Sequence, residues 1–252
     1  MFKLIQKGIQ AISSYKNLTS KQATSIMQEI LSGATTQAQT SAFITALKMK
    51  GETIEEITAF AQVLKENGIS IKPNIKKKII DTCGTGGDIA QTFNISTCTA
   101  FVLAGSGICV AKHGNKAVSS LTGSADVLSE LGININLEKK KIIECLKKIN
   151  LCFLFAPNFH PILKNVTDIR KEIGKRTIFN ILGPLLSPVE CKKQIIGVYD
   201  ASILVKVAEV LKKLGTDSAW VVSGNKEYDE LTTTGKNYIA EIKNNTIKEF
   251  EI

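Results

Sequence analysis

"DTCGTGGD", residues 81–88, decides how this chain is read. The apolar run "KII" enters it, and "IAQTFNISTCTAFVLAGSG" (89–107) leaves it as a turn and then a helix from about Asn94. The glycines therefore lie between a strand and a helix. Glycine reaches positive φ, and without a Cβ it lets a ligand approach backbone N–H groups. The helix brings its partly positive N-terminus to the same place, with Thr92, Asn94, Ser96 and Thr97 as hydroxyl and amide partners. An anion, most simply a phosphate, fits such an opening. The spacing is neither GxGxxG nor GxxxxGK[ST], so neither a dinucleotide site nor a P-loop is implied. The alternative is a tight turn with a polar lining.

Upstream, the first 68 residues are helical in pattern. Ala23, Ile26, Met27, Ile30 and Leu31 follow the 3.6-residue period, with Thr19 and Gln22 as a capping box and Gly33 as a stop. Ala38, Ala42, Phe43, Ala46 and Leu47 form a second stripe. Thr53 with Glu56 caps a third, and Gly68 follows it. Residues 69–77 read as a linker. Downstream, short apolar runs ("CVAK", "LCFLFA", "QIIGVY", "AWVVSG") alternate with helical stretches such as "SADVLSELG" and "ASILVKVAEVLKKLG". This is the signature of an α/β domain with a mostly parallel sheet. The expectation is a small all-helical domain, 1–68, and a larger α/β domain, 74–252.

Bulk composition narrows the function. Of 252 residues, 44% are hydrophobic and 22% charged, ordinary for a globular chain. The formal charge of +9 raises nucleic acid as a partner, but aromatics are only 6% and the lysines are scattered. Positive charge equally suits a small anionic substrate. No apolar run is long enough for a membrane span, and the amphipathic N-terminus lacks a signal-peptide core. The six cysteines form no CxxC pair and read as buried free thiols of a cytoplasmic protein.

Two further segments carry chemistry. "VAKHGNKAVSSLTGSAD" (110–126) places Lys112, His113, Asn115, Lys116, three serines and two glycines just past a strand. Lys112 can act as a point charge for phosphate. His113 can be a general base, an aromatic contact or a satisfied polar residue. Polar, glycine-bearing loops at strand C-termini are where open α/β sheets bind ligands, and two such cradles suit a substrate with more than one phosphate. "YDELTTTG" (228–235) puts the adjacent carboxylates Asp229 and Glu230 past another strand. Hard oxygen ligands of this kind suit Mg²⁺ shared with substrate phosphates.

In family order, "DTCGTGGD…TFNIST", "VAKHGNKAVSSLTGSADVLSELG", "HPILKNVTDIRKEIGKRTIFNILGPL" and "DE" resemble the anthranilate phosphoribosyltransferases of tryptophan biosynthesis. The pyrimidine nucleoside phosphorylases share only the KHG and GSADVL-type segment and are the looser alternative. The resemblance implies a fold of the nucleoside phosphorylase/phosphoribosyltransferase kind, with a segment at about 160–190 joining the helical domain in space. It also implies Mg²⁺ and a homodimer through the helical domain. Phosphoribosyl pyrophosphate would be lined by Gly84, Gly87, Asp88, Thr92, Asn94, Ser96 and Thr97, and by Lys112, Gly114, Asn115, Ser119, Ser120 and Ser124. Ser96, Asp229 and Glu230 would hold the metal. Anthranilate would face Gly84, His113, Asn115 and Arg170, with Gly183 and Pro184 near its ring. The mixed charge of "NVTDIRKEIG" by itself makes Arg170 an exposed surface arginine. Family members run on past the point where this sequence stops. Uncovered apolar surface in the α/β part, weak substrate binding, or an inactive dimerisation module are expected from that difference.

Overall fold

The computed structural model describes residues 4–86, 93–117 and 122–252. In chain order the helices are α1 (Leu4–Ser13), α2 (Ser20–Leu31), α3 (Gln37–Lys50), α4 (Ile54–Glu66), α5 (Ile95–Gly105), α6 (Ser124–Glu130) and α7 (Lys139–Ile149). The later ones are α8 (Ala156–Phe159), α9 (Lys164–Ile173), α10 (Ile178–Leu182) and α11 (Leu204–Lys213). The strands are β1 (Ile79–Gly84), β2 (Cys109–Gly114), β3 (Leu151–Phe155), β4 (Lys193–Gly197), β5 (Ser218–Gly224), β6 (Asn237–Lys243) and β7 (Thr246–Glu251). They form two units, one of residues 1–68 and 160–186, the other of 69–159 and 187–252.

The first unit is a helical bundle. Capping boxes start α2 at Thr19 and Gln22, α4 at Thr53 and Glu56, and also α3 at Thr36 and Gln39. In each, the threonine hydroxyl accepts from the third backbone N–H while that residue's side chain accepts from the threonine N–H, satisfying two orphan donors. The apolar stripes then meet in one core, where Phe43 and Phe60 pack edge to face with centroids 6.4 Å apart. A buried knot ties three joins of this bundle. Glu56 is fully buried and accepts from the N–H of Leu18 (2.9 Å), the N–H of Thr53 (2.8 Å) and Lys50 Nζ (2.9 Å). It thereby links the α1–α2 loop, the end of α3 and the start of α4. His160 is buried, with Nε2 2.8 Å from Leu186 O, and burial pushes its pKa below the usual value.

The second unit is a seven-stranded sheet in the order β3-β2-β1-β4-β5-β6-β7. The strands from β3 to β5 are parallel, and β6 and β7 add antiparallel to the edge. Helices cover both faces. On one, Phe153 packs with Ala125 and Leu128 of α6, and α5 lies on β1 and β2. On the other, Cys109, Ala111, Cys152 and Leu154 pack on Ile142 and Leu146 of α7. The strand order reverses between β1 and β4, the position at which open α/β sheets leave a crevice at their carboxyl ends. The sequence reading did not anticipate the β6–β7 hairpin. Its turn is Asn244-Asn245, with φ of 51° and 60°, the left-handed pair that a two-residue hairpin loop needs. The stretch read as a linker is partly core, because Ile71 is 2% exposed and bridges to Val189.

Removing one member of a buried ion pair leaves an uncompensated charge, which costs about 3–5 kcal/mol. Glu56→Ala is therefore expected to lose stability on that scale. Urea unfolding followed by far-UV circular dichroism checks this, and a loss below about 1 kcal/mol would show that the knot is dispensable.

Candidate active site

Four of the parallel strands end on glycine: Gly84 on β1, Gly114 on β2, Gly197 on β4 and Gly224 on β5. The loop carrying Asp229 and Glu230 lies against three of these ends. A Cβ built on Gly84 would sit 2.6 Å from Asp229 Oδ2, and one on Gly224 would sit 2.5 Å from Glu230 O. The two carboxylates then reach separate backbone donors. Asp229 Oδ2 accepts from the N–H of Gly86 at 2.7 Å, inside the glycine turn, where Gly86 has φ 65°. Glu230 Oε1 accepts from the N–H of Ser96 at 3.0 Å, in the first turn of α5. A carboxylate at a helix N-terminus satisfies an orphan donor and meets the positive end of the dipole. The glycine turn, the helix start and the acidic pair thus form one hydrogen-bonded group at the β1/β4 crevice.

Lys112 lies beneath this group and is 3% exposed. Its Nζ donates to Thr82 O and to Ser96 Oγ, the latter at 3.1 Å. Successive strand residues point to opposite faces. His113 therefore turns to the other side of the sheet and is buried, while its backbone N–H donates to Asp81 Oδ1 at 3.0 Å. Burial, opposed by the His113 N–H and the Lys112 charge, raises Asp81 from 3.8 to about 6. Burial and the neighbouring charge of Asp229 raise Glu230 to about 7, with Ser96 and Lys112 opposing. Cys83, between these groups, is pushed up to about 12 by burial and by Asp81, so it stays a neutral thiol. The buried ammonium of Lys112 and the acidic pair Asp229 and Glu230 lie on one side of the sheet, and the surplus negative charge of that pair is what a divalent cation would relieve. The donor set fits Mg²⁺ in kind. Among the described residues no group of three or more His, Cys, Asp or Glu converges, and Mg²⁺ takes few carboxylates and fills its shell with phosphate and water oxygens.

The residues named from the sequence fall as follows. Gly84, Asn94, Ser96, Thr97, Lys112, Gly114, Asn115, Ser124, Asp229 and Glu230 belong to the α/β unit, at or beside the carboxyl ends of β1, β2 and β5. Asn94 does not cap α5 with its side chain, which donates instead to Thr122 Oγ1 at 3.2 Å. Thr97 Oγ1 is buried without a hydrogen-bond partner among the described residues. Gly87, Asp88, Thr92, Ser119 and Ser120 lie outside the described residues. Arg170, Gly183 and Pro184 belong to the helical unit. Arg170 is half-buried rather than exposed as its helix's mixed charge suggested, and its guanidinium lies 5.4 Å from the centroid of the Phe179 ring. Three residues escaped the sequence reading. Asp126 Oδ2 accepts from the N–H groups of Ala117 (2.8 Å) and Gly123 (2.9 Å), closing the loop after β2, and its place in the first turn of α6 was the available signal. Gly197 and Gly224 were visible only as glycines ending apolar runs.

A helical bundle and a doubly wound sheet, with a glycine turn, a helix N-terminus and an acidic pair at the strand ends, define a phosphate-handling group-transfer enzyme. Residues 4–68 match the helical bundle domain of the glycosyl transferase family, and residues 76–252 match its a/b domain. The chain is 47% identical over 249 residues to anthranilate phosphoribosyltransferase of Alkaliphilus metalliredigens, covering 99% of this chain and 73% of the relative. It is 48% identical to that of Petrotoga mobilis, covering 97% and 71%. The crystal structure of anthranilate phosphoribosyltransferase from Thermus thermophilus superposes with a TM-score of 0.89 at 33% identity, covering 100% of this chain and 73% of that one. The Saccharomyces cerevisiae enzyme in complex with phosphoribosyl pyrophosphate and Mg superposes with a TM-score of 0.87 at 29% identity, covering 98% and 72%. The chain belongs to the anthranilate phosphoribosyltransferase family.

Asp81 makes a pH dependence measurable. Its pKa is raised in the fold, so the native state prefers the protonated carboxyl. The stability this contributes is full below pH 3.8 and is lost as pH rises through about 6. The difference is on the order of 3 kcal/mol at 1.36 kcal/mol per pH unit. Asp81→Asn keeps an acceptor oxygen for the His113 N–H and removes the titration. The variant is expected to be more stable than wild type at pH 8, and their difference should shrink towards pH 4. Denaturant melts across that range check it. A constant difference between the two proteins would place the titration elsewhere.

Proposed function

We propose that this chain transfers the phosphoribosyl group of 5-phosphoribosyl 1-pyrophosphate to the amine of anthranilate, releasing pyrophosphate. The observation that carries the reading is the clamp at the β1/β4 crevice. There, two carboxylates are held on the backbone amides of the glycine turn and of the α5 N-terminus. A polyphosphate substrate needs a positive helix end and a metal-bridging acid in one place, and this group supplies both. Curated relatives at 47% and 48% identity carry the same activity in their names.

In the reaction, the amine nitrogen bonds to the anomeric carbon as the bond from that carbon to the pyrophosphate oxygen breaks. Bound at Ser96, Asp229 and Glu230, Mg²⁺ would supply positive charge to the departing pyrophosphate. The turn at 84–88, the segment from Thr92 to Thr97 and the loop from Lys112 to Ser124 hold the phosphates. Holding both substrates supplies much of the rate by orientation. An aromatic amine is already a nucleophile at neutral pH, so no strong base is needed. His113, expected from the sequence as an anthranilate contact or proton acceptor, has its imidazole buried on the face of the sheet away from Lys112 and is given no part in the transfer. Gly84, Asn115, Arg170, Gly183 and Pro184 complete the anthranilate side, Arg170 pairing with its carboxylate. The helical unit mediates a homodimer, a reading supported by the exposed Leu4, Tyr15 and Met49 on and beside α1 and α3. The six free cysteines suit a reducing cytoplasm. No described helix is long and apolar enough to cross a membrane.

The test is consumption of anthranilate fluorescence by the chain with phosphoribosyl pyrophosphate and Mg²⁺. Turnover that stops in EDTA is expected, and phosphorolysis of thymidine in its place would replace this reading with a nucleoside phosphorylase.

Arg170→Ala is expected to raise KM for anthranilate roughly tenfold to a hundredfold, because a charge-assisted hydrogen-bonded pair contributes about 1.5–3 kcal/mol. KM for phosphoribosyl pyrophosphate should change far less. Equal changes in both constants would remove Arg170 as the carboxylate anchor.

A further inference from the structure

We propose that Gly197 and Gly224 are positioning residues for the metal-binding carboxylates, forming the seat on which residues 229 and 230 lie. This rests on the reading of Asp229 and Glu230 given above. Neither glycine touches a substrate group in that reading.

The geometry separates two reasons for a glycine. A glycine at positive φ is there for its conformation, as Gly86 is at 65°. Gly197 and Gly224 are not among the positive-φ glycines, so an alanine could adopt either backbone conformation. What forbids a side chain is space. A Cβ on Gly197 would stand 1.5 Å from the carbonyl oxygen of Asp229 and 2.5 Å from its carbonyl carbon. A Cβ on Gly224 would stand 2.5 Å from the carbonyl oxygen of Glu230. Both neighbours are backbone atoms, which cannot swing aside as a side-chain tip can.

The chain above these positions is folded down tightly. After β5 it turns through Asn225 and Lys226, both left-handed with φ of 48° and 63°. Gly224 and Tyr228 exchange backbone hydrogen bonds of 3.0 Å and 2.9 Å, which send the chain back over the strand ends. Asp229 then lies across the end of β4 and Glu230 across the end of β5. Lifting this backbone by the width of a methyl group would pull Asp229 from the Gly86 N–H and Glu230 from the Ser96 N–H. The two residues are adjacent, so both carboxylates leave together. The glycines therefore act through the acidic pair, setting where a metal ion and its bridged phosphate would stand.

The experiment uses the full chain and two probes. Calorimetric titration with phosphoribosyl pyrophosphate is run in Mg²⁺ and in EDTA, and Mn²⁺ binding is read by electron paramagnetic resonance. Wild type is compared with Gly197→Ala, Gly224→Ala and the control Gly105→Ala, whose added Cβ meets nothing within 4 Å. Sites must hold their groups within about 0.5 Å of the working geometry. Both seat variants are therefore expected to lose about tenfold or more of the Mg²⁺-dependent affinity and to weaken Mn²⁺ binding, while affinity in EDTA stays within about twofold and the control matches wild type. Seat variants that keep the Mg²⁺ increment, or that lose affinity equally in EDTA, overturn the proposal. If Gly197→Ala does not fold, Gly224→Ala, with the milder clash, decides. If neither folds, the glycines serve the sheet rather than the acidic pair, and the proposal fails. A wild-type chain with no Mg²⁺ increment would instead overturn the functional reading itself, and this inference with it.

Discussion

The backbone of residues 229 and 230 approaches the ends of β4 and β5 more closely than any side chain would allow, and the Asp229 carboxylate does the same at the end of β1. The rest of the site depends on that approach. It brings one carboxylate to the Gly86 N–H and the other to the Ser96 N–H, joining two loops more than a hundred residues away in sequence. The sheet makes the approach possible, because Gly84 and Gly197 stand side by side in the register of β1 and β4. Two neighbouring strands thus present bare backbone at the same level, and a third, β5, does so beside them. A crevice of this kind forms where strand order reverses, since the helices that follow β1 and β4 depart in different directions.

Charge explains what such a crevice attracts. Lys112 is buried and spends its hydrogen bonds on Thr82 O and Ser96 Oγ, inside the protein. Asp229 and Glu230 lie beside it, Asp81 is on the other face of the sheet, and the raised pKa values of Asp81 and Glu230 report burial first. Burial makes the charged form of each acid costly, and a single ammonium group compensates only part of it. A divalent cation bridging the acidic pair to a phosphate would offset the remainder, which is the arrangement that Mg²⁺ sites built on few carboxylates use. Cys83 lies in the same field and is held as a thiol, so its place beside the glycine turn does not make it a nucleophile.

Stability and chemistry are separated along the chain. In the helical unit, a buried Glu56–Lys50 pair and three capping boxes fix the joins between helices. In the α/β unit, a dry core of Cys109, Cys152, Leu154, Ile142 and Leu146 supports β2 and β3 from one face. The polar loops are gathered at the strand ends. The half-buried Arg170, packed against Phe179, holds its charge near an aromatic face instead of in bulk water.

The sequence by itself determined the fold class, the helix starts and the identity of the polar loops, because these are local properties. A threonine three residues before a glutamine or glutamate caps a helix where an apolar stripe of helical period follows, and an apolar run ending in glycine and a polar loop reads as a strand with a site at its end. The β6–β7 hairpin was missed because its one local signal, Asn244-Asn245, is weaker than the Asn-Gly pair usual in such turns. Burial of Ile71 and Arg170 was also invisible, since exposure is set by partners distant in the chain. Above all, only the tertiary structure decided why Gly197 and Gly224 are glycines. Their φ values would accept alanine, and what excludes a side chain is the backbone of residues 229 and 230. That backbone reaches Gly197 only after the strands have paired in register and the chain has turned back over their ends.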